Sequence, residues 1–175
     1  LGAEGTFVAR SMDRDPKHLK EMMLAMYHHK GTSFIDVLQN CVIFNDGAFD
    51  LYTSKETRDE NVIYLEHGKP LVFGKERDKG IRLDGFRTQV VSLKDYSEND
   101  LIVHDTKSKE LAFILAHMND QPGLPLPVGI FLDMDRSTYE DELGQHVQRA
   151  IDKQGVGTMQ SLLYDGQTWV IDNGS

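Results

Sequence analysis

The chain has almost no cysteine. Among 175 residues there is one, Cys41, so no internal disulfide can form and no metal site can be built from the chain's own thiolates alone. Positive charge is also short. Nineteen Lys and Arg stand against 28 Asp and Glu, a formal net charge of −9. The dense basic field that nucleic-acid phosphates require is missing. No apolar run approaches the ~20 residues of a membrane span. Gly and Pro are too few for a collagen-like chain, and 39% hydrophobic with 27% charged residues excludes a disordered one. A chain of this length buries about 70% of its extended surface, enough for one full core. It opens at Leu1 without an initiator Met, directly before strand-like sequence, and is expected to be a piece of a longer protein. With a single cysteine and no secretory signature, a cytoplasmic location is expected.

What is present has period. Gly5 to Arg10 (GTFVAR) is a short apolar run and predicts a strand. Asp15-Pro16 is a helix start, with Asp as N-cap and Pro in the first helical position. Leu19, Met22, Met23, Met26 and Tyr27 then fall on one helical face, and Gly31 suits the stop. SFIDVLQ follows, nearly continuous in apolar residues, the pattern of a strand buried on both faces of a parallel sheet. Strand, helix and strand make a βαβ unit. Its two strands run the same way, so their ends at Arg10-Ser11-Met12 and Asn40-Cys41 emerge on one sheet edge, where open α/β sheets bind ligands.

Residues 42–100 are charged and glycine-rich. Pro70 to Phe73, Gly80 to Leu83 and Thr88 to Leu93 read as short strands. The stretch reads equally as an arm or insertion that packs against something else and as a solvated hairpin on this same domain; in the first case Leu71, Val72, Phe73 and Phe86 are expected to cover a partner subunit or a second copy. Further on, Leu111, Ala112, Ile114, Leu115 and Met118 mark a helix face, and VGIFLD reads as a strand. Ser137 to Glu140 reads as a capping box before a helix carrying Tyr139, Leu143, Val147, Ala150 and Ile151, with Gly155 as its stop. Met159 to Leu163 predicts a turn of helix, and Thr168 to Ile171 a closing strand.

Familiar catalytic motifs are missing. There is no G-x-S-x-G elbow and no P-loop, and Gly155-Val156-Gly157 lacks the third glycine and the preceding strand of a dinucleotide fingerprint. His28 and His29 are adjacent and point to different sides of their helix, which makes them poor partners for one metal; solvated or capping histidines are expected. Asp133 and Asp135 share a strand face, and a carboxylate-based hydrolase built on them lacks a base and metal ligands. Cys41 has no neighbouring base among Asn40, Val42 and Ile43, so nucleophilic activation has no local source. It reads either as a buried structural cysteine or as a ligand completed by cysteines from elsewhere.

GTFVARSMDRDPKHLKEMM and HKGTSFIDVLQNCVIFNDG together resemble the later part of the thiamine-binding β subunit of 2-oxoacid:ferredoxin oxidoreductases. ETRDENVIYLEHGKPLVFGKERDKGIRLDG resembles the 2-oxoglutarate branch. His104-Asp105, Leu111 to Phe113 and Pro127 to Phe131 extend the likeness, which covers essentially the whole chain.

The resemblance implies a coenzyme A-dependent oxidative decarboxylation. Thiamine diphosphate attacks the 2-oxoacid carbonyl, carbon dioxide leaves, the acyl group ends on coenzyme A, and electrons pass through a 4Fe–4S cluster to ferredoxin. Cys41 matches the family cysteine that ligates the cluster. The G-D-G motif and the Asn pair that hold thiamine diphosphate and Mg2+ are missing, as are the other three cluster cysteines. The resemblance therefore implies a fragment that binds none of these cofactors by itself. Its partners would be the α subunit and ferredoxin.

Arg10, Arg14, Lys17 and Lys20 are expected to form a basic patch for an acidic ferredoxin on the Cys41 side. The expected fold class is α/β. The last βαβ unit of a truncated parallel-sheet thiamine-binding domain occupies 1–41, an irregular arm or insertion 42–100, and a C-terminal α/β extension of helix and strand 101–175. The alternative is a non-catalytic acidic α/β interaction module whose cysteine is buried and structural.

Overall fold

The computed structural model describes residues 1–169 and 171. The chain divides into a unit at Leu1–Arg136 and a second at Ser137–Ser175. In the first, strand β1 (Phe7–Met12) leads to helix α1 (Pro16–His28) and strand β2 (Ser33–Leu38). Asp15 is the N-cap: its side chain accepts from the His18 N–H, and Pro16 opens the helix. Gly31 is not the helix stop; His29 ends the helix in an extended conformation. Instead Gly31 has φ +128, and a Cβ there would lie 2.7 Å from Thr6 Oγ1. Only glycine meets both conditions.

β1 and β2 pair in parallel, with Phe7 beside Ser33 and Met12 beside Leu38. The βαβ unit of the sequence is therefore present. Two short helices, α2 (Asp50–Thr53) and α3 (Arg58–Asn61), lead into strand β3 (Val62–Leu65). Strands β4 (Val72–Phe73), β5 (Lys79–Asp84) and β6 (Arg87–Ser92) form a separate antiparallel sheet. Helix α4 (Lys109–Ala116), capped by the Ser108 hydroxyl, precedes strand β7 (Leu126–Asp133). The main sheet has the order β2-β1-β7-β3. β7 runs antiparallel to β1 and parallel to β3, so two parallel pairs meet back to back. A bulge at Val8/Ala9 adjusts the central junction.

The core explains two departures from the sequence reading. Leu71, Phe73 and Ile81 are buried in one cluster with Val8, Ile63, Leu115, Phe131 and Leu132. Residues 42–100 thus fold onto their own unit and supply β3 to the main sheet, rather than forming a separate arm. Of the four side chains expected at a partner surface, Leu71, Val72 and Phe73 are buried and only Phe86, 93% exposed at the β5–β6 turn, faces solvent. The second departure is β2. It is an edge strand with no fully buried residue, not one covered on both faces.

In the second unit, α5 (Tyr139–Gln154) begins at Thr138, whose hydroxyl accepts from Asp141 N–H while Asp141 answers the Thr138 N–H. The capping box lies one residue later than the sequence suggests. Gly155, with φ +78, ends the helix. α6 (Met159–Leu163) follows, as expected. Thr168, Trp169 and Ile171 form no strand, and Val170 lies outside the described residues.

Candidate functional site

Because β1 and β2 are parallel and in register, their carboxyl ends share one sheet edge. Cys41 comes three residues beyond Leu38 at that edge, as an exposed free thiol. The buried structural cysteine of the alternative reading is therefore not what the fold contains. The loop around it is closed by its own atoms. Asn45 N–H donates to the Cys41 carbonyl at 3.0 Å. The Asn40 side chain donates to Asp46 Oδ1 and accepts from Gly47 N–H, both at 2.9 Å.

The backbone N–H groups of Phe44 and then Ile43 hold the Cys41 thiol below its ordinary value, since donors to sulfur favour the charged form. No basic side chain contributes to that shift. Val42, Ile43 and Phe44 are all exposed beside it. A thiolate held by backbone donors suits an iron–sulfur cluster, which takes cysteine sulfur and is tuned by hydrogen bonds to it. With one cysteine, the chain has a single sulfur to offer such a centre. Among the described residues, no three His, Cys, Asp or Glu side chains gather as a metal site.

The four basic residues do not act together. Arg14, Lys17 and Lys20 are exposed at the start of α1. Arg10 is not: its side chain is 16% exposed, its Nε donates to Asp36 Oδ2 at 2.9 Å, and its guanidinium lies over the Phe131 ring at 5.4 Å. Strand alternation sends Arg10 to the face opposite Ser11, which bonds α1. Its charge is spent on Asp36, so it leaves the patch.

The histidines are more engaged than the sequence implies. Ser11 Oγ and His18 Nδ1 are 2.8 Å apart, and His18 meets the Tyr64 ring edge-on. Burial lowers the His18 pKa. Tyr64 donates to Asp15 Oδ2 at 2.8 Å, and burial, followed by that bond, pushes its phenol up to about 12. His104 is fully buried, with Nε2 2.7 Å from the Ile130 carbonyl and Nδ1 without a partner. His29 bridges Thr6 and Asp133. Asp133 is thereby tied into the fold, whereas Asp135 is exposed; Lys107 lies between the two, 4.0 Å from Asp133 Oδ2 and 3.7 Å from Asp135 Oδ2. These partners lie 23 and 104 residues from His29, beyond any local sequence signal.

The site is thus an exposed thiol with backbone donors, on an α/β unit, at the edge where two parallel strands end. The chain is homologous to the β subunits of 2-oxoacid:ferredoxin oxidoreductases. It is 38% identical over 176 residues to 2-oxoglutarate oxidoreductase subunit KorB of Mycobacterium tuberculosis, covering 98% of this chain and 47% of that protein. It is 31% identical over 142 residues to the 2-oxoacid:ferredoxin oxidoreductase 1 β subunit of Aeropyrum pernix, covering 80% and 34%. The chain thus spans less than half the length of these curated relatives. The 2-oxoglutarate:ferredoxin oxidoreductase of Magnetococcus marinus, solved with 2-oxoglutarate, coenzyme A and succinyl-CoA bound, shares the fold. Its TM-score is 0.53 at 16% identity, over 90% of this chain and 39% of that one. No family model matches the sequence. Among the described residues, no helix is long and apolar enough to cross a membrane.

Proposed function

We propose that this chain is part of the thiamine-diphosphate-binding β subunit of a 2-oxoglutarate:ferredoxin oxidoreductase. The complete enzyme would convert a 2-oxoacid and coenzyme A to acyl-CoA and carbon dioxide, and pass two electrons to ferredoxin. The observation that carries the reading is Cys41. It is the one thiol of a chain homologous to these β subunits, exposed at the edge where the two parallel strands end and held low by backbone N–H groups.

In this reading Cys41 is one ligand of a 4Fe–4S cluster, which supplies one-electron transfer when bound. The chain's own part is to present that sulfur on the closed Asn40–Gly47 loop, already inclined to the thiolate form. Thiamine diphosphate and Mg2+ would be held by residues outside these 175, and the chain alone would be inactive. The α subunit and ferredoxin would be its partners in the cytoplasm. Arg14, Lys17 and Lys20 remain as the basic contribution to ferredoxin docking.

The test is Cys41→Ser in the complete subunit. Iron content and visible cluster absorption should fall and ferredoxin reduction should stop, while thiamine diphosphate binding survives. Full iron content with unchanged absorption would overturn the assignment.

A further inference from the structure

Residues 66–71 run antiparallel to residues 102–106 as a short ladder, with Pro70 opposite Val103. Gly68 N–H donates to the His104 carbonyl and His104 N–H to the Lys69 carbonyl, both at 2.8 Å, and Leu71 N–H donates to the Ile102 carbonyl at 2.9 Å. At the end of the ladder a side chain takes the place of a carbonyl. Thr106 N–H donates to the His67 ring, whose Nδ1 lies 3.1 Å from the amide nitrogen and 3.2 Å from the Thr106 hydroxyl. The bonds continue into β7, because the Thr106 carbonyl accepts from Asp133 N–H at 2.8 Å.

A backbone N–H can only donate, so Nδ1 is the unprotonated nitrogen of His67. The neighbouring His104 is fixed from the other side. The Ile130 carbonyl, 2.7 Å from its Nε2, can only accept, so Nε2 carries a proton and the buried Nδ1 has no partner. Asp105 Oδ1 lies 3.7 Å from His67 Nδ1. Among the described residues it is the one carboxylate in ion-pair range of that ring. The other charges nearby are Glu66 and Lys69, which flank His67 in the chain, and Lys107, whose N–H donates to Asp105 at 2.9 Å. Asp133, at the end of β7, is taken by His29 and Lys107.

We propose that His67 is an acid-released clasp. While Nδ1 is bare, it accepts the Thr106 N–H and holds residues 66–71 against residues 102–106. A proton on Nδ1 sets two donors face to face. The ring then turns to the Asp105 carboxylate, where the imidazolium makes a charge-assisted hydrogen bond, and Thr106 N–H is let go. Opening takes up one proton, so the open fraction rises as the pH falls. The segment it frees helps to wall a cleft of ≈ 510 Å³, which Glu66, Lys69 and Pro70 line together with Val62 and Tyr64 of β3. Release of the clasp loosens that wall while the main sheet stays paired. Nothing in this device involves Cys41, and it stands apart from the cluster assignment.

Imidazole nitrogen spectra and amide hydrogen exchange of this chain, read at pH 7.5 and 5.5, test it. At pH 7.5 the His67 ring should carry its proton on Nε2 and none on Nδ1. Between the two pH values the protection of Thr106, corrected for intrinsic exchange, should fall by about tenfold relative to the amides of β1, the worth of one hydrogen bond. His67→Asn keeps an acceptor near the Nδ1 position but cannot titrate, and should hold Thr106 equally at both. His67→Leu should leave Thr106 poorly protected at both, and Asp105→Asn should move the release to lower pH. A proton on Nδ1 at pH 7.5, or Thr106 protection that does not change with pH, would overturn the proposal. So would an undiminished fall in His67→Asn, since the loss would then belong to the buried His104.

Discussion

Thr6 Oγ1 lies 2.8 Å from His29 Nε2, and Nδ1 of the same ring lies 2.9 Å from Asp133 Oδ1. The His29 side chain is 5% exposed. Nδ1 thus faces the carboxylate and Nε2 the Thr6 hydroxyl, which also lies 3.2 Å from the Thr32 carbonyl. One imidazole thus fastens the approach to β1, the end of α1 and the end of β7. Thr6→Val should leave Nε2 unpaired inside the fold and cost about 1–3 kcal/mol, while Thr6→Ser should cost little. Urea unfolding of the two variants checks this, and a Thr6→Val protein as stable as the parent would contradict it. Gly31→Ala should destabilise through the same contact, by steric conflict with Thr6.

His104 makes stability depend on pH. Burial first, against the opposing bond to the Ile130 carbonyl, holds its pKa below the ordinary value. The unfolded chain therefore takes up a proton near pH 6.5 that the folded chain refuses. Stability is complete above that pH and falls as the pH drops from there toward the folded pKa. His18 shifts the same way, also by burial. Urea midpoints at pH 7.5, 6.5 and 5.5 should decline, and His104→Gln should flatten the decline relative to its own value at pH 7.5. An unchanged slope would refute the role.

Cys41 should alkylate at lower pH than an ordinary cysteine thiol. Its pKa is lowered by the Phe44 and Ile43 N–H groups, so the iodoacetamide rate should rise through a midpoint below that of a free cysteine peptide. Because the sequence has one cysteine, the signal has a single source. Asn40→Ala removes both side-chain bonds that close the loop and should move the midpoint up. A midpoint equal to the peptide's in the parent chain would remove the backbone-donor account.

Charge reversal at Lys17 and Lys20 should slow ferredoxin reduction by the complete enzyme and flatten its dependence on salt, because rim charges act chiefly on encounter rates. Arg10→Gln should behave differently. Arg10 is occupied by Asp36 and Phe131, so its loss should appear as lower stability. Stopped-flow reduction at two ionic strengths separates the cases.

The sequence was most legible where the cause is local. The Asp15-Pro16 start, the 3.6-residue stripe of α1, the strands around GKERDKG and the Gly155 stop all arise from neighbours within a turn. The position of Cys41 followed from one further step, that parallel strands share an end. What was not legible depends on distant partners. Nothing in VGIFLD states that it will lie antiparallel to β1 and parallel to β3. The charged stretch around Thr53 to Leu65 hides β3 because only four residues of it are strand. Arg10 looked like free charge until register set it beside Asp36.

The reversal between β1 and β7 gives the sheet two polarities. The edge that carries the ends of β1 and β2 also carries the beginnings of β3 and β7, at Val62 and Leu126. Half of the strands therefore point their carbonyls toward Cys41 and half point their amides, so neither sign of backbone dipole dominates there. A negatively charged centre assembled at that border would depend for its electrostatic support on the few N–H groups aimed at it from the Cys41 loop. The opposite border, near Asp133 and Glu66, is remote from that demand and is the natural place to attach a label or a tether.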